Sequence, residues 1–228
     1  MNQKKEPIIR VIDLIHVYKG KVETVALPGI SFKINKGEKV AIRGKSGLGK
    51  TTLLHCLAGI LKPTAGKILV EGRNIVDYNE DQLAEYRCKK VGLVYQSFNL
   101  APFLTIEENI EFPMVLAKKE RRERKERINE LVELLDIQRY LNQKPAFLSG
   151  GEQQRVAIAV ALANNPDIIL ADEPTGNLDL ENSQVVYQYL SDLCDHFNKT
   201  LLIATHDPEA SKYTEREIIL TKLKSQEL

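Results

Sequence analysis

The sequence predicts an α/β fold: a parallel sheet core, an antiparallel sheet beside it, and a block of helices inserted between core strands. Three observations predict it. Residues 39–43 read as a short strand, enter a glycine-rich loop and lead into an apolar helix over 51–57. Residues 167–173 form an apolar strand ending in two carboxylates, Asp172 and Glu173. Between 97 and 147 the strand pattern gives way to helical spacing. Strands buried on both faces read as continuous apolar runs, and ligands bind beyond their C-terminal ends.

Runs 8–14, 30–34 and 67–70 read as strands of the antiparallel sheet around the first core strand. The loop Gly44-Lys45-Ser46-Gly47-Leu48-Gly49-Lys50-Thr51, followed by Thr52, fits G-x-x-x-x-G-K-[ST]. Its strand–loop–helix context marks a phosphate-binding loop. Glycines let the backbone wrap phosphate, with the N–H groups forming a nest. Lys50 would reach the β- and γ-phosphates and the Thr51 hydroxyl would ligate Mg²⁺. A chance match in a chain of this length is on the order of one in a hundred.

Residues 91–95 form a strand that ends at Gln96. Helices follow over 106–117 and 120–135, the latter with Ile128, Leu131, Leu134 and Leu135 on one face. Gln143-Lys144-Pro145 breaks this block. Ser149 then caps a helix whose apolar part spans 156–163, while Gly150 and Gly151 leave backbone amides bare. Such a helix start attracts anions, because free N–H groups and the positive end of the helix dipole coincide. At the end of 167–173, Asp172 would hold Mg²⁺ through its water shell and Glu173 could polarise an attacking water. A helix over 183–197 and a strand over 200–205, ending at His206, complete the βαβ pattern.

Composition narrows the function classes. The chain has 228 residues, 43% hydrophobic, enough for one sizeable core or one domain with a helical subdomain. Lys and Arg number 32 against 31 Asp and Glu, so no global field argues for nucleic acid. The charged run 118–127 alternates sign like a solvated helix face. Three cysteines without paired spacing (Cys56, Cys88, Cys194) fit neither a disulfide scaffold nor a metal site and suit a reducing cytoplasm. The polar start of the chain lacks a signal-peptide apolar region, and no run approaches the ~20 apolar residues that cross a bilayer.

From about residue 8 to about 220 the chain resembles the ATP-binding subunit of an ATP-binding cassette (ABC) transporter, with the motifs in the family's order. Tyr18 matches the aromatic that stacks on adenine. Residues 44–52 match Walker A, Gln96 the Q-loop glutamine, and Leu148-Ser149-Gly150-Gly151-Glu152-Gln153-Gln154-Arg155 the signature. Residues 168–173 match Walker B, Asn177-Leu178-Asp179 the D-loop, and His206 the switch histidine.

The resemblance implies a P-loop NTPase cassette: a mixed RecA-like parallel sheet core, an antiparallel β subdomain and a helical subdomain at about 97–147, all in one nucleotide-binding domain over 1–228. It implies ATP hydrolysis with Mg²⁺ by a head-to-tail pair, formed with a second copy of the chain or a homologous cassette. Each ATP would lie between one Walker A and the other protomer's signature, where Ser149, Gly150, Gly151 and Glu152 face it. Thr51, Gln96 and Asp172 would hold the metal, Glu173 would be the general base, His206 would align the γ-phosphate, and Asp179 would communicate between protomers. The implied partners are integral membrane permease subunits, not nucleic acid, which places the chain in the cytoplasm at the inner face of the membrane.

Three departures from the family pattern stand out. Leu48 replaces a small residue, Val160 stands where relatives carry Arg, and 220–228 lacks the Asp-Gly turn after the last strand. The words at 96–100 and 171–179 resemble the branch of lipoprotein-release (Lol-type), macrolide-exporter (MacB-type) and peptide-antibiotic efflux ATPases. Alternatives are the cell-division ATPase of that branch and soluble ribosome- or DNA-associated members. A short permease helix is expected in a groove near Gln96, Phe98 and Leu104.

Overall fold

The structure, a computed structural model, describes residues 7–20, 23–221 and 226–227. Most of the polar start of the chain, residues 1–6, lies outside the described residues. Two long strands open the chain, β1 (Pro7–Tyr18) and β2 (Thr24–Asn35), and pair antiparallel. Strand β3 (Lys39–Arg43) leads through the glycine-rich loop into helix α1 (Lys50–Leu57). Strands β4 (Ala65–Val70) and β5 (Arg73–Asn74) extend the antiparallel sheet to the order β2-β1-β4-β5. Runs 8–14, 30–34 and 67–70 thus sit where the apolar pattern predicts, each within a longer strand.

Helix α2 (Glu80–Lys90) was not legible in the apolar pattern, because Tyr86 is its only buried residue. A capping box starts it: the Asn79 side chain accepts from the Gln82 N–H, and the Gln82 side chain accepts from the Asn79 N–H. Strand β6 (Val91–Tyr95) follows, then α3 (Ile106–Leu116) and α4 (Arg121–Leu134). Thr105 and Glu108 box the start of α3. Buried Asn109 stitches the preceding loop by exchanging bonds with both backbone groups of Ala101. Of the 118–127 charges, Lys119 pairs with Glu123 and Arg122 with Glu126 on a solvated face, whereas Arg124 reaches Glu111 of α3 and Arg127 donates to the Leu162 carbonyl and covers Phe197.

Helix α5 (Gly150–Leu162) starts at the Ser149 cap, and strand β7 (Ile168–Asp172) follows it. Helix α6 (Leu180–His196) begins three residues before the predicted position, because Asp179 caps it by accepting from the Asn182 N–H at 2.9 Å. Strands β8 (Thr200–Thr205), β9 (Arg216–Ile219) and β10 (Gln226–Glu227) end the fold. The second sheet runs β10-β9-β3-β8-β7-β6 and is parallel except for β10. The β9–β10 pair thus forms without an Asp-Gly turn.

This sheet is apolar on both faces. Ile168 and Leu170 of β7, with Leu202 and Ala204 of β8, join a core that includes α1 and the antiparallel sheet. Their neighbours Ile169, Ala171, Leu201 and Ile203 join a second core with α3, α4, α5 and α6. Alternating side chains feed two cores, so neither strand shows a polar face. Cys56 and Cys194 are buried within these cores, and burial pushes each thiol up to about 12.

Gly92 in β6 sets how closely α5 approaches the sheet. A methyl there would lie 2.3 Å from the Ala161 carbonyl oxygen. Gly92→Ala should therefore cost about 1–3 kcal/mol, the usual range for overpacking. Urea unfolding should show a lower midpoint at an unchanged slope.

Candidate functional site

The glycine-rich loop carries chain from the end of β3 back over itself into α1. Gly49 makes the turn possible. Its φ is 86°, and a methyl on it would lie 2.3 Å from the Ala26 carbonyl oxygen of β2. Both the left-handed backbone and the close approach exclude other residues. No side chain caps α1, and its first turn holds no acid. The amides there stay open to an anion. Leu48 packs its side chain against the core, so only its backbone is available to the loop's concave side.

Lys50 is buried. Its ammonium donates to the Gly44 carbonyl at 2.9 Å and lies 3.3 Å from Glu173 Oε1. The next residue ties the loop to the end of β7, for the Thr51 hydroxyl donates to Asp172 Oδ1 at 3.1 Å. Burial raises the Asp172 carboxyl above the ordinary aspartate range, against the opposing bond from Thr51. The strand predicted to run through 173 stops at Asp172. Glu173 turns away with φ 45°, a left-handed conformation costly for a non-glycine residue.

That turn aims Glu173 into a dense set of donors. Its Oε2 accepts from the Thr205 hydroxyl at 2.9 Å and from the His206 N–H at 3.3 Å, and lies 3.0 Å from His206 Nδ1. Burial pulls the carboxyl up, but the bonds from His206 and Thr205 and the Lys50 charge outweigh it. Glu173 therefore sits below the usual glutamate range and is a carboxylate at neutral pH.

A cleft of about 750 Å³ gathers these groups. Tyr18, Lys45, Ser46, Gly47 and residues 49–52 line it with Gln96, Glu173 and His206. Tyr18 stands at its mouth, 45% exposed, with its hydroxyl 3.1 Å from Thr52 Oγ1 and its ring edge-on to His16. Gln96 is held by a two-way exchange with Asn177. Its Nε2 donates to Asn177 Oδ1 at 3.1 Å, and Asn177 Nδ2 donates to the Gln96 carbonyl at 2.9 Å. Thr24 and Ala26 of β2 also line the cleft. Together with Thr205, they carry no sequence signal of their own; only the packing reveals them.

The donor set suits Mg²⁺. The Thr51 hydroxyl and the Gln96 side-chain carbonyl are hard oxygen groups lining the cleft, and the Asp172 carboxylate adjoins it through its bond from Thr51. Among the described residues no group of three or more His, Cys, Asp or Glu forms a metal cage.

The signature residues do not line this cleft. Ser149 and Glu152 close a capping box, with the Ser149 N–H donating to Glu152 Oε2 at 2.8 Å. The Tyr140 hydroxyl also donates to Glu152 and, as the largest influence, holds that carboxyl below its usual range. A methyl on Gly151 would lie 2.7 Å from Asn182 Oδ1. Glycine there serves packing against the start of α6 as well as bare amides. Asp179 points into its own helix cap, where Asn182 holds its carboxyl low.

Comparisons with known proteins give the family and the fold. Residues 27–176 match the family model described as ABC transporter. An ABC transporter ATP-binding protein of Thermotoga maritima is 47% identical over 204 residues, 88% of this chain and 87% of that one. The lipoprotein-releasing system ATP-binding protein LolD of Buchnera aphidicola is 39% identical over 206 residues, 90% of each chain. A solved dimeric structure of the ATP-binding cassette MJ0796 of Methanocaldococcus jannaschii, in a post-hydrolysis state bound to ADP and Pi, superposes with TM-score 0.87 at 38% identity, covering 96% of this chain and 98% of that one.

Proposed function

The chain belongs to the ABC transporter family, and from that premise we propose that it is the ATP-binding and ATP-hydrolysing subunit that drives a separate membrane permease. We read residues 1–228 as one cassette with the 97–147 helices inserted in it. The observation that carries the reading is the convergence of Lys50, Glu173 and His206 on the cleft that holds the phosphate loop.

The loop amides and Lys50 bind the β- and γ-phosphates. Thr51, Gln96 and Asp172 would hold Mg²⁺, which would supply charge neutralisation to the phosphoryl group. Lys50 now pairs with Glu173, so a γ-phosphate that draws the ammonium away makes the carboxylate a stronger base. Glu173 then accepts a proton from the attacking water through an Oε atom as the water oxygen bonds to the γ-phosphorus, and the bond from that phosphorus to the bridging oxygen breaks, its electron pair leaving with ADP. His206, already 3.0 Å from Glu173, keeps water and phosphate in line.

Because the signature lies outside this cleft, a second protomer supplies it. Two copies pack head to tail, and Ser149, Gly150, Gly151 and Glu152 of each face the other's ATP. Asp179 links the two sites through the start of α6. The dimeric state of the related cassette supports this arrangement. Likeness to LolD supports a place in the branch whose permeases act on lipoproteins or peptides.

The permease meets the helical side. A groove of about 790 Å³ runs between α2, the end of α3 and α5, with Arg87, Cys88, Leu116, Val160 and Asn164 on its walls. Leu116 is 63% exposed, and Phe112 one turn earlier 54%. Val160, in place of the family's Arg, keeps one wall apolar. We place a short permease helix here rather than at Phe98, which lies against Gly150. Among the described residues no helix is long and apolar enough to cross a membrane. In this reading the permease holds the chain at the cytoplasmic face. Crosslinking from Leu116→Cys should capture a membrane protein co-expressed with this chain. Capture of ribosomal or DNA-bound proteins alone would sink the reading.

A further inference from the structure

Phe147 stands two residues before the Ser149 cap with 77% of its surface open. The backbone that presents it is fixed on both sides. Pro145 and Leu148 are buried, the Phe147 N–H donates to the Lys144 carbonyl at 3.0 Å, and the Leu148 N–H donates to Pro145 at 3.1 Å. Leu148 and Ser149 are extended. The ring is therefore held outward on the same edge as the signature.

On the other side of the proposed dimer, Tyr18 offers one aromatic face at the mouth of the phosphate cleft. A base stacked on that ring keeps its second face open. We propose that Phe147 stacks on this second face, so that the base of each ATP lies between Tyr18 of one copy and Phe147 of the other. This rests on the shared-site reading above. If Ser149 faces the γ-phosphate, two extended residues carry the backbone about 7 Å along the nucleotide. The phenyl ring adds several ångström more, a reach comparable with a triphosphate. Base–aromatic stacking tolerates any base, since every base has a π face. The contact adds affinity only when two copies close on ATP, so Phe147 makes the nucleotide a better interface element without aiding the lone chain.

The test uses Glu173→Gln as parent and reads the ATP concentration at which monomer converts to dimer by size exclusion. Phe147→Ala and Phe147→Leu should each raise that midpoint by about fivefold or more, the low end of one lost stack. Phe147→Trp should hold or lower it. The chain has no tryptophan, so Phe147→Trp is also the sole indole emitter, and its fluorescence should quench as ATP closes the dimer. ATP affinity of monomeric protein, measured with Ser149→Arg added, should not move. A Phe147→Leu midpoint equal to the parent's overturns the proposal, because any apolar contact then suffices. So does an indole signal that ignores ATP-driven dimerisation and responds only to a permease. A parent that stays monomeric at saturating ATP overturns the shared-site reading and this proposal with it.

Discussion

Glu173→Gln should lower ATP hydrolysis by about 10²–10⁴, the usual worth of a general base, while ATP binding survives. The substitution keeps shape and removes the proton acceptor. The amide oxygen can still accept from Lys50 Nζ, which lies 3.3 Å from Oε1, and Thr205 can turn its hydroxyl to accept from the new NH₂. The fold should therefore persist. Removing one negative charge per site also reduces repulsion against the γ-phosphate, so the ATP-bound dimer should become long-lived. Size exclusion with ATP should show monomer shifting to dimer. Adding Ser149→Arg should abolish that shift, because a long cationic side chain at the helix start blocks the neighbour's nucleotide. A wild-type rate in Glu173→Gln would falsify the base assignment. A persistent monomer at saturating ATP would instead remove the shared site.

Lys50→Ala should weaken Mg-ATP binding by about 1.5–3 kcal/mol, the range for hydrogen bonds to charged groups, or roughly 10–150-fold in Kd. Lys50 is the buried cation of the loop, whereas Lys45 is exposed. Hydrolysis should fall further than binding, since the same ammonium neutralises charge that grows in the transition state. A second effect follows from the pair seen here. Lys50 helps hold the Glu173 carboxyl below its usual range. A depressed carboxyl contributes stability that is present above the unfolded pKa and lost as pH falls through the folded one. Without Lys50 the folded value rises, so part of that neutral-pH stability disappears. Calorimetry with Mg-ATP and thermal melts at pH 7 and pH 4 separate the two effects. Unchanged affinity would show that the loop is not used as argued.

The sequence by itself determined the cassette, because its defining features are local. A glycine-rich loop needs its lysine and threonine at fixed covalent spacing, and the 44–52 stretch shows it directly. The strand ending at Asp172 shows itself by an unbroken apolar run, since alternate side chains enter two different cores. Ser149 reveals a helix start through a cap whose box closes within four residues.

Tertiary structure alone decided how the distant pieces meet. Thr51 and Asp172 are 121 residues apart, Gln96 and Asn177 81, and no periodicity connects them. The end of β7 at Asp172, with Glu173 turned to φ 45°, depends on Thr205 and His206 arriving from the next strand. Gly49, Gly92 and Gly151 look alike in sequence, but each is required by a different neighbour: the Ala26 carbonyl, the Ala161 carbonyl and Asn182. Helix α2 stayed hidden because one buried tyrosine makes no stripe. Local chemistry is written in residue order, whereas close approach and pairing belong to surfaces that exist only after the chain has folded.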